Sequence, residues 1–174
     1  EEVGTGTNIS DTQVISQITT LNNDYRKKSG TRGFNTNPVG ADANIEFALA
    51  VRDPNGNPTN GIDRISYNKD FWDEAAVETE LKPNTIWDPT KYLNIWVVNF
   101  GGDLDGVLGY AQFPEASTLS GLNYPPFTET TDGVIIGYQF FGNLDYNDGS
   151  FNLDSTYGYG RTVTHEVGHW LGLR

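Results

Sequence analysis

From Ser10 to about Lys28 the apolar residues Val14, Ile18, Leu21 and Tyr25 recur at the spacing of one helix face. Ser10 and Gln13 form a capping-box pair at its start, and Gly30 and Gly33 stop it. The polar, glycine-bearing residues 1–9 read as a lead-in. Asn8-Ile9-Ser10 is also a glycosylation sequon, but capping is the favoured role for Ser10. The period then changes. Over residues 44–52, Ile45, Phe47, Leu49 and Val51 alternate with Glu46, Ala48 and Ala50, which predicts a sheet strand closed by the turn Asp53-Pro54-Asn55-Gly56. Residues 57–86 carry little pattern beyond a short helix near 70–81. Asp88-Pro89 reads as a helix cap with proline in the first turn. The continuous apolar run Leu93–Phe100 predicts a central strand buried on both faces. Val107–Phe113, with Gly106, Gly109 and a terminating Pro114, fits an edge strand. A polar loop covers about 114–132, Val134–Phe141 is a last strand, and a final helix starts near Arg161. The expected class is α+β: a twisted mixed β-sheet with a backing helix and a second helix packed on it.

That second helix carries the chemistry. It reads His165-Glu166-Val167-Gly168-His169 and continues Trp170-Leu171-Gly172-Leu173-Arg174. Positions i and i+4 share a helix face, so His165 and His169 can turn both imidazoles to one metal ion. Glu166 lies about 100° further round, placed to reach an attacking water without being a ligand. This is the arrangement of a zinc hydrolase, with His165 and His169 as metal ligands and Glu166 as general base. Val163, Val167, Trp170 and Leu171 form an apolar stripe on the opposite face, which anchors the helix. His165 and His169 are the only two histidines of the chain, so two surface histidines on an ordinary amphipathic helix is the poorer reading. Gly172 can take the left-handed conformation that ends a helix and turns the chain sharply.

The motif from His165 to Gly172 resembles that of the metzincins, in which a third histidine follows three residues after the glycine. The string Gly160–Thr164 leading into His165–Leu173 resembles the pappalysin group, particularly its secreted bacterial members. Trp87–Val98, Leu108–Pro114 and Asp132–Ile136 are also similar to that group. The resemblance runs from about Ile9 onward. It implies a secreted zinc endopeptidase and a metzincin-type upper subdomain. In this family a strand precedes the first helix, and the third histidine, a methionine-containing turn and a specificity pocket follow, so the chain reads as the upper half of a catalytic domain. The unpaired edge of Val107–Phe113 can take an extended peptide substrate as an added strand, with Gly109 allowing close approach, Ala111 offering its backbone and Tyr110 packing against a substrate side chain; the resemblance implies that this strand lies above the zinc helix.

Composition narrows the partners. A chain of 174 residues is expected to form one domain, 1–174, and the absence of methionine is read as the mark of a processed product. The net charge of −12 argues against nucleic acid, which needs clustered Lys and Arg. No stretch is apolar enough to insert in a membrane. Zero cysteines leave the redox compartment open. Asp145, Asp148 and Asp154 stand in an oxygen-rich loop that can hold calcium, although turn chemistry is the favoured use, as it is for Asp103 and Asp105. The aromatic residues are read as core rather than as a carbohydrate surface. The reading is therefore a zinc-dependent endopeptidase. The alternatives are another zinc hydrolase of the gluzincin type, with a distant glutamate ligand, and a catalytically inactive peptide-binding domain that retains the motif.

Overall fold

The computed structural model of the chain describes residues 2–114 and 128–173, so most of the polar loop expected over about 114–132 lies outside the described residues. Helix α1 spans Asp11–Tyr25, and the Ser10 hydroxyl accepts the Gln13 amide at 3.2 Å. Half of the capping box is therefore in place. The other half is not, because the Gln13 side chain turns inward, donating to the Phe141 carbonyl at 2.8 Å and accepting the Asn152 amide at 3.0 Å.

Helix α1 buries two faces. Val14, Leu21 and Tyr25 enter the apolar core with Val134, Ile136, Val163 and Val167. Beside them Gln13, Ser16, Gln17 and Thr20 are also buried. Gln17 accepts the Gly142 amide at 2.8 Å and donates to the Gly160 carbonyl at 3.1 Å. Ser16 accepts the Asn143 amide at 3.0 Å. Among the described residues every buried side-chain polar atom has a hydrogen-bond partner, which avoids a cost of roughly 1–3 kcal/mol for each group left unpaired. This polar seam holds the long loop ahead of the last helix against α1.

The sheet has three strands, β1 (Ile95–Val98), β2 (Gly109–Ala111) and β3 (Val134–Gly137), in the order β1-β3-β2. β3 is central and wholly buried, parallel to β1 and antiparallel to β2. Its alternation divides the core. Val134 and Ile136 face α1 and the last helix, while Ile135 faces Trp72, Val77, Leu81 and Trp96. On that second side α2 (Glu74–Ala76) runs through a π turn at Val77–Leu81 into α3 (Lys82–Thr85). The last helix, α4, spans Arg161–Trp170. The small mixed sheet with helices packed on it is the class the sequence pattern predicts; α1 and α4 share one face, and the short α2–α3 segment covers the other.

Several local expectations are corrected. Over residues 44–52, Ile45, Phe47 and Leu49 pack on the core, but Asn44 is left-handed (φ 56°) and the segment forms no strand among the described residues. The Asn22 side chain takes both the amide and the carbonyl of Phe47, at 2.7 and 2.9 Å, and Val51 is exposed. β1 is an edge strand in the described sheet, with Trp96 and Val98 buried but Ile95 and Val97 only half-buried. Its outer edge lines a cleft of about 1020 Å³ shared with Phe47–Arg52. Asp88-Pro89 opens a single turn rather than a helix, in which the Asp88 carboxylate accepts the Thr90 amide and pairs with Lys91.

Candidate metal centre

Gly160 sets the entry to α4 in a left-handed conformation, φ 73°. A side chain there would place its Cβ 2.8 Å from Thr20 Cγ2, so glycine is required by φ and by the close approach of α1. Asp24 fastens the first turn from the other side. Its carboxylate pairs with Arg161 and accepts the Thr164 hydroxyl at 2.6 Å, and the Tyr25 hydroxyl donates to the Thr164 carbonyl at 3.0 Å. Burial, with the neighbouring Asp24 charge, pushes the Tyr25 phenol up to about 12. Val163 and Val167 are fully buried, whereas Leu171 at the stripe's end is exposed because it caps the helix.

The opposite face brings His165 and His169 together. Their Nε2 atoms lie 2.8 Å apart, and the rings meet edge to face at 4.4 Å between centroids. The Nδ1 atom of His169 lies 2.9 Å from the Leu173 carbonyl oxygen. A carbonyl only accepts, so this Nδ1 carries the hydrogen and the Nε2 lone pair faces His165. The tautomer is the one that binds a metal through Nε2.

The turn that brings Leu173 back is a Schellman motif. The Leu173 amide donates to the Gly168 carbonyl at 2.8 Å and the Gly172 amide to the His169 carbonyl at 2.9 Å. Gly172 has φ +92°, the left-handed conformation expected of it. Its turn therefore both ends the helix and orients His169, a coupling not visible in the motif alone.

Glu166 is buried beside the two imidazoles, and burial raises its carboxyl pKa against a smaller opposing effect of the neighbouring His165 and His169. Its neighbour across the site is β2. A Cβ built on Gly109 would stand 3.3 Å from Glu166 Cγ.

β2 is an edge strand, as expected, with β3 on one side only. Gly137 N donates to the Leu108 carbonyl and Gln112 N to the Gly133 carbonyl, each at 3.0 Å. In an antiparallel pair alternate residues face the partner. Leu108, Tyr110 and Gln112 therefore direct their backbone groups to β3, and Gly109 and Ala111 direct theirs outward. Gly109 and Ala111 lie on the α4 side. Tyr110 does not: its ring enters the opposite core, and its hydroxyl donates to Glu78 at 2.8 Å. The expected contact between the Tyr110 side chain and a substrate is corrected, because successive strand residues point to opposite faces.

Two further contacts join the site to its frame. Trp170 Nε1 donates to Asp132 at 2.7 Å, and the Phe113 ring lies 5.0 Å from that of His169. The loop carboxylates weighed for calcium are otherwise engaged. Asp145 makes a two-pronged pair with Arg32, Asp148 accepts from Ser150 and Thr12, and Asp154 accepts the amides of Thr156 and Tyr157. Among the described residues no group of three or more His, Cys, Asp or Glu is placed to hold a metal ion. The two convergent imidazoles, that of His169 held in the tautomer that binds through Nε2, fit a nitrogen-preferring ion such as zinc and would supply two of the three protein donors an open catalytic site uses.

Known proteins resemble this chain. No family model matches the chain. An extracellular metalloprotease of Verticillium alfalfae is 32% identical over 165 residues, which cover 95% of this chain and 44% of that protein. One of Neurospora crassa is 28% identical over 95% of this chain and 43% of its own length. The chain thus spans less than half the length of these relatives. Among solved structures, mature mirolysin of Tannerella forsythia in complex with a cleaved peptide is 43% identical, with a TM-score of 0.75 over 96% of this chain and 58% of that one. A promirolysin mutant of the same organism is 44% identical, with a TM-score of 0.75 over 96% of this chain and 51% of that one. The mixed α+β fold of this chain is similar to the matching part of that metallopeptidase.

Proposed function

We propose that the chain is the metal-bearing part of a secreted, zinc-dependent endopeptidase of the metzincin type, close to the pappalysin group. The observation that carries this reading is the convergence of His165 and His169 Nε2 beside a buried Glu166, beneath an edge strand. The similar metalloproteases are named extracellular, and in the described residues no helix is long and apolar enough to cross a membrane. The mirolysin structure with a cleaved peptide supports a peptide substrate.

His165 and His169 would hold the zinc ion. When bound, it supplies a Lewis acid that polarises the scissile carbonyl and lowers the pKa of water to about 7. Glu166 takes the proton of the attacking water and delivers it to the leaving amine. The outward backbone groups of Gly109 and Ala111 accept an extended peptide as an added strand, which presents its carbonyl beside Glu166.

The test is replacement of each histidine by alanine in the full-length protein. His165→Ala and His169→Ala should each lose bound zinc and peptide cleavage while retaining the unfolding transition. Zinc retained at full occupancy in either variant would remove that residue from the ligand set.

A further inference from the structure

The three residues of β2 are unequal. Gly109 has no side chain and Ala111 only a methyl group, so Tyr110 alone can anchor the strand through a side chain. A three-residue ladder resists twisting weakly, yet this strand must hold two outward-facing residues at a fixed height above α4. Tyr110 is held from the face opposite the metal site. Its hydroxyl donates to Glu78 Oε1 at 2.8 Å, and the same oxygen receives Lys82 Nζ at 2.6 Å. Lys82 is almost fully buried, and its ammonium lies 4.7 Å from the Tyr110 ring centre and 5.6 Å from that of Trp96. Phe100 stacks on Tyr110 at 6.4 Å. Trp96 is fixed in turn by Thr85, which accepts its Nε1 at 2.8 Å. The pair Glu78 and Lys82 is presented by the π turn at Val77–Leu81, an uncommon backbone that concentrates at functional sites.

A buried ion pair is poor evidence for stability, since well-packed apolar residues often do as well. What this pair adds is direction: two donors fixed on one oxygen define where the Tyr110 ring stands. We propose that Lys82, Glu78 and Tyr110 form a positioning device that sets the height and tilt of β2 over α4, and so the register at which an extended peptide meets Glu166. This rests on the peptidase reading. The three residues touch neither substrate nor metal. Their effect passes through Gly109, whose added Cβ would contact both the Ile135 carbonyl and Glu166.

Tyr110→Phe in the full-length protein tests it, because the ring is kept and only the hydroxyl is lost. KM for peptides should rise by about ten-fold, the equivalent of one charge-assisted hydrogen bond, with kcat within two-fold and zinc content unchanged. Amide exchange at Tyr110 and Gln112 should accelerate by a similar factor. The double variant Glu78→Gln with Lys82→Met keeps Tyr110 but removes the charged acceptor and the second donor, and should raise KM by a comparable factor with zinc content unchanged; a native KM in this variant overturns the proposal. Glu80→Gln, on the same turn but paired with Lys69 at the surface, should change nothing. An unchanged KM with unchanged exchange in Tyr110→Phe overturns the proposal. So does a loss confined to melting temperature. If the wild-type protein cleaves no peptide, the peptidase reading fails by itself, and exchange at Tyr110 and Gln112 still decides whether the network pins β2.

Discussion

Gly109 is the position where strand, sheet and Glu166 come closest, and Gly109→Ala measures how tightly they are set. The added Cβ would stand 2.6 Å from Ile136 Cδ1, 2.9 Å from the Ile135 carbonyl oxygen and 3.3 Å from Glu166 Cγ. The first clash is soft, because a terminal isoleucine methyl can rotate away. The second is not: Ile135 is in the buried central strand, paired to both neighbours, and its carbonyl cannot withdraw without opening the ladder. Carbon atoms in contact prefer separations of about 3.5–4.0 Å, so β2 must lift by some tenths of an ångström. Overpacking of this kind costs roughly 1–3 kcal/mol. For a domain of this size each kcal/mol lowers Tm by about 2–4 °C, which predicts a fall of about 2–12 °C. The lift also displaces the peptide platform from Glu166, and misplacement by about 1 Å near reacting atoms costs on the order of a hundred-fold in rate. Thermal unfolding and kcat/KM of the full-length variant read the two effects. Tm within one degree of wild type together with unchanged kcat/KM would refute the close contact between β2, Ile135 and Glu166.

The backbone pairing of β2 makes a position-specific proline prediction. Ala111→Pro should fold and bind peptide at least ten-fold more weakly, because the lost N–H points away from β3. Tyr110→Pro should destabilise the domain by about 3 kcal/mol by removing a ladder bond, as measured by denaturant unfolding. Gly172→Ala, at φ +92°, should cost about 1–2 kcal/mol and loosen the Leu173 carbonyl from His169. Zinc affinity should then fall by about 10–100-fold, as for other outer contacts of ligand histidines, in competition with a chelator. Leu21→Ala, at a fully buried position of α1, should lower stability by about 2–5 kcal/mol without changing zinc affinity in the folded protein. A polypeptide of residues 1–174 alone should hold zinc weakly, since its described residues offer two imidazoles and no third donor in a metal-holding group. A sub-nanomolar Kd in the same competition assay would reveal an unrecognised ligand.

How much was legible depended on whether a signal was local. The faces of α1 and α4 follow from apolar spacing, and Gly172 turns the chain as its lack of a side chain permits. His165, Glu166 and His169 fall into place because four residues make about one helical turn. What failed was partnership. The alternation at 44–52 identifies a half-buried segment but not what bonds its backbone, and at Phe47 the partner is a side chain, Asn22. The apolar run at Leu93–Phe100 suggests a centre, yet Val134–Gly137 occupies it and β1 lies at an edge. Gln13 reads as a capping-box partner and Gln17 carries no signal, but both are buried because loop amides and carbonyls from residues 141–160 need them. The Glu78, Lys82 and Tyr110 network joins segments about thirty residues apart through an irregular turn, for which periodicity gives no signal. The Leu173 carbonyl on His169 arises from turn geometry and is silent in residue type.

Glu166→Gln in the full-length protein tests the site most directly, because it separates the base from the ligands. The change leaves side-chain volume and both imidazoles in place and removes only the ability to take a proton. Zinc content and peptide turnover are measured on the same preparation. One zinc ion per chain with turnover reduced by about 10²–10⁴-fold, the range for loss of general acid–base catalysis, is the expected result. Loss of zinc, or turnover close to that of the wild-type protein, would contradict the assignment of Glu166 as the base beside His165 and His169.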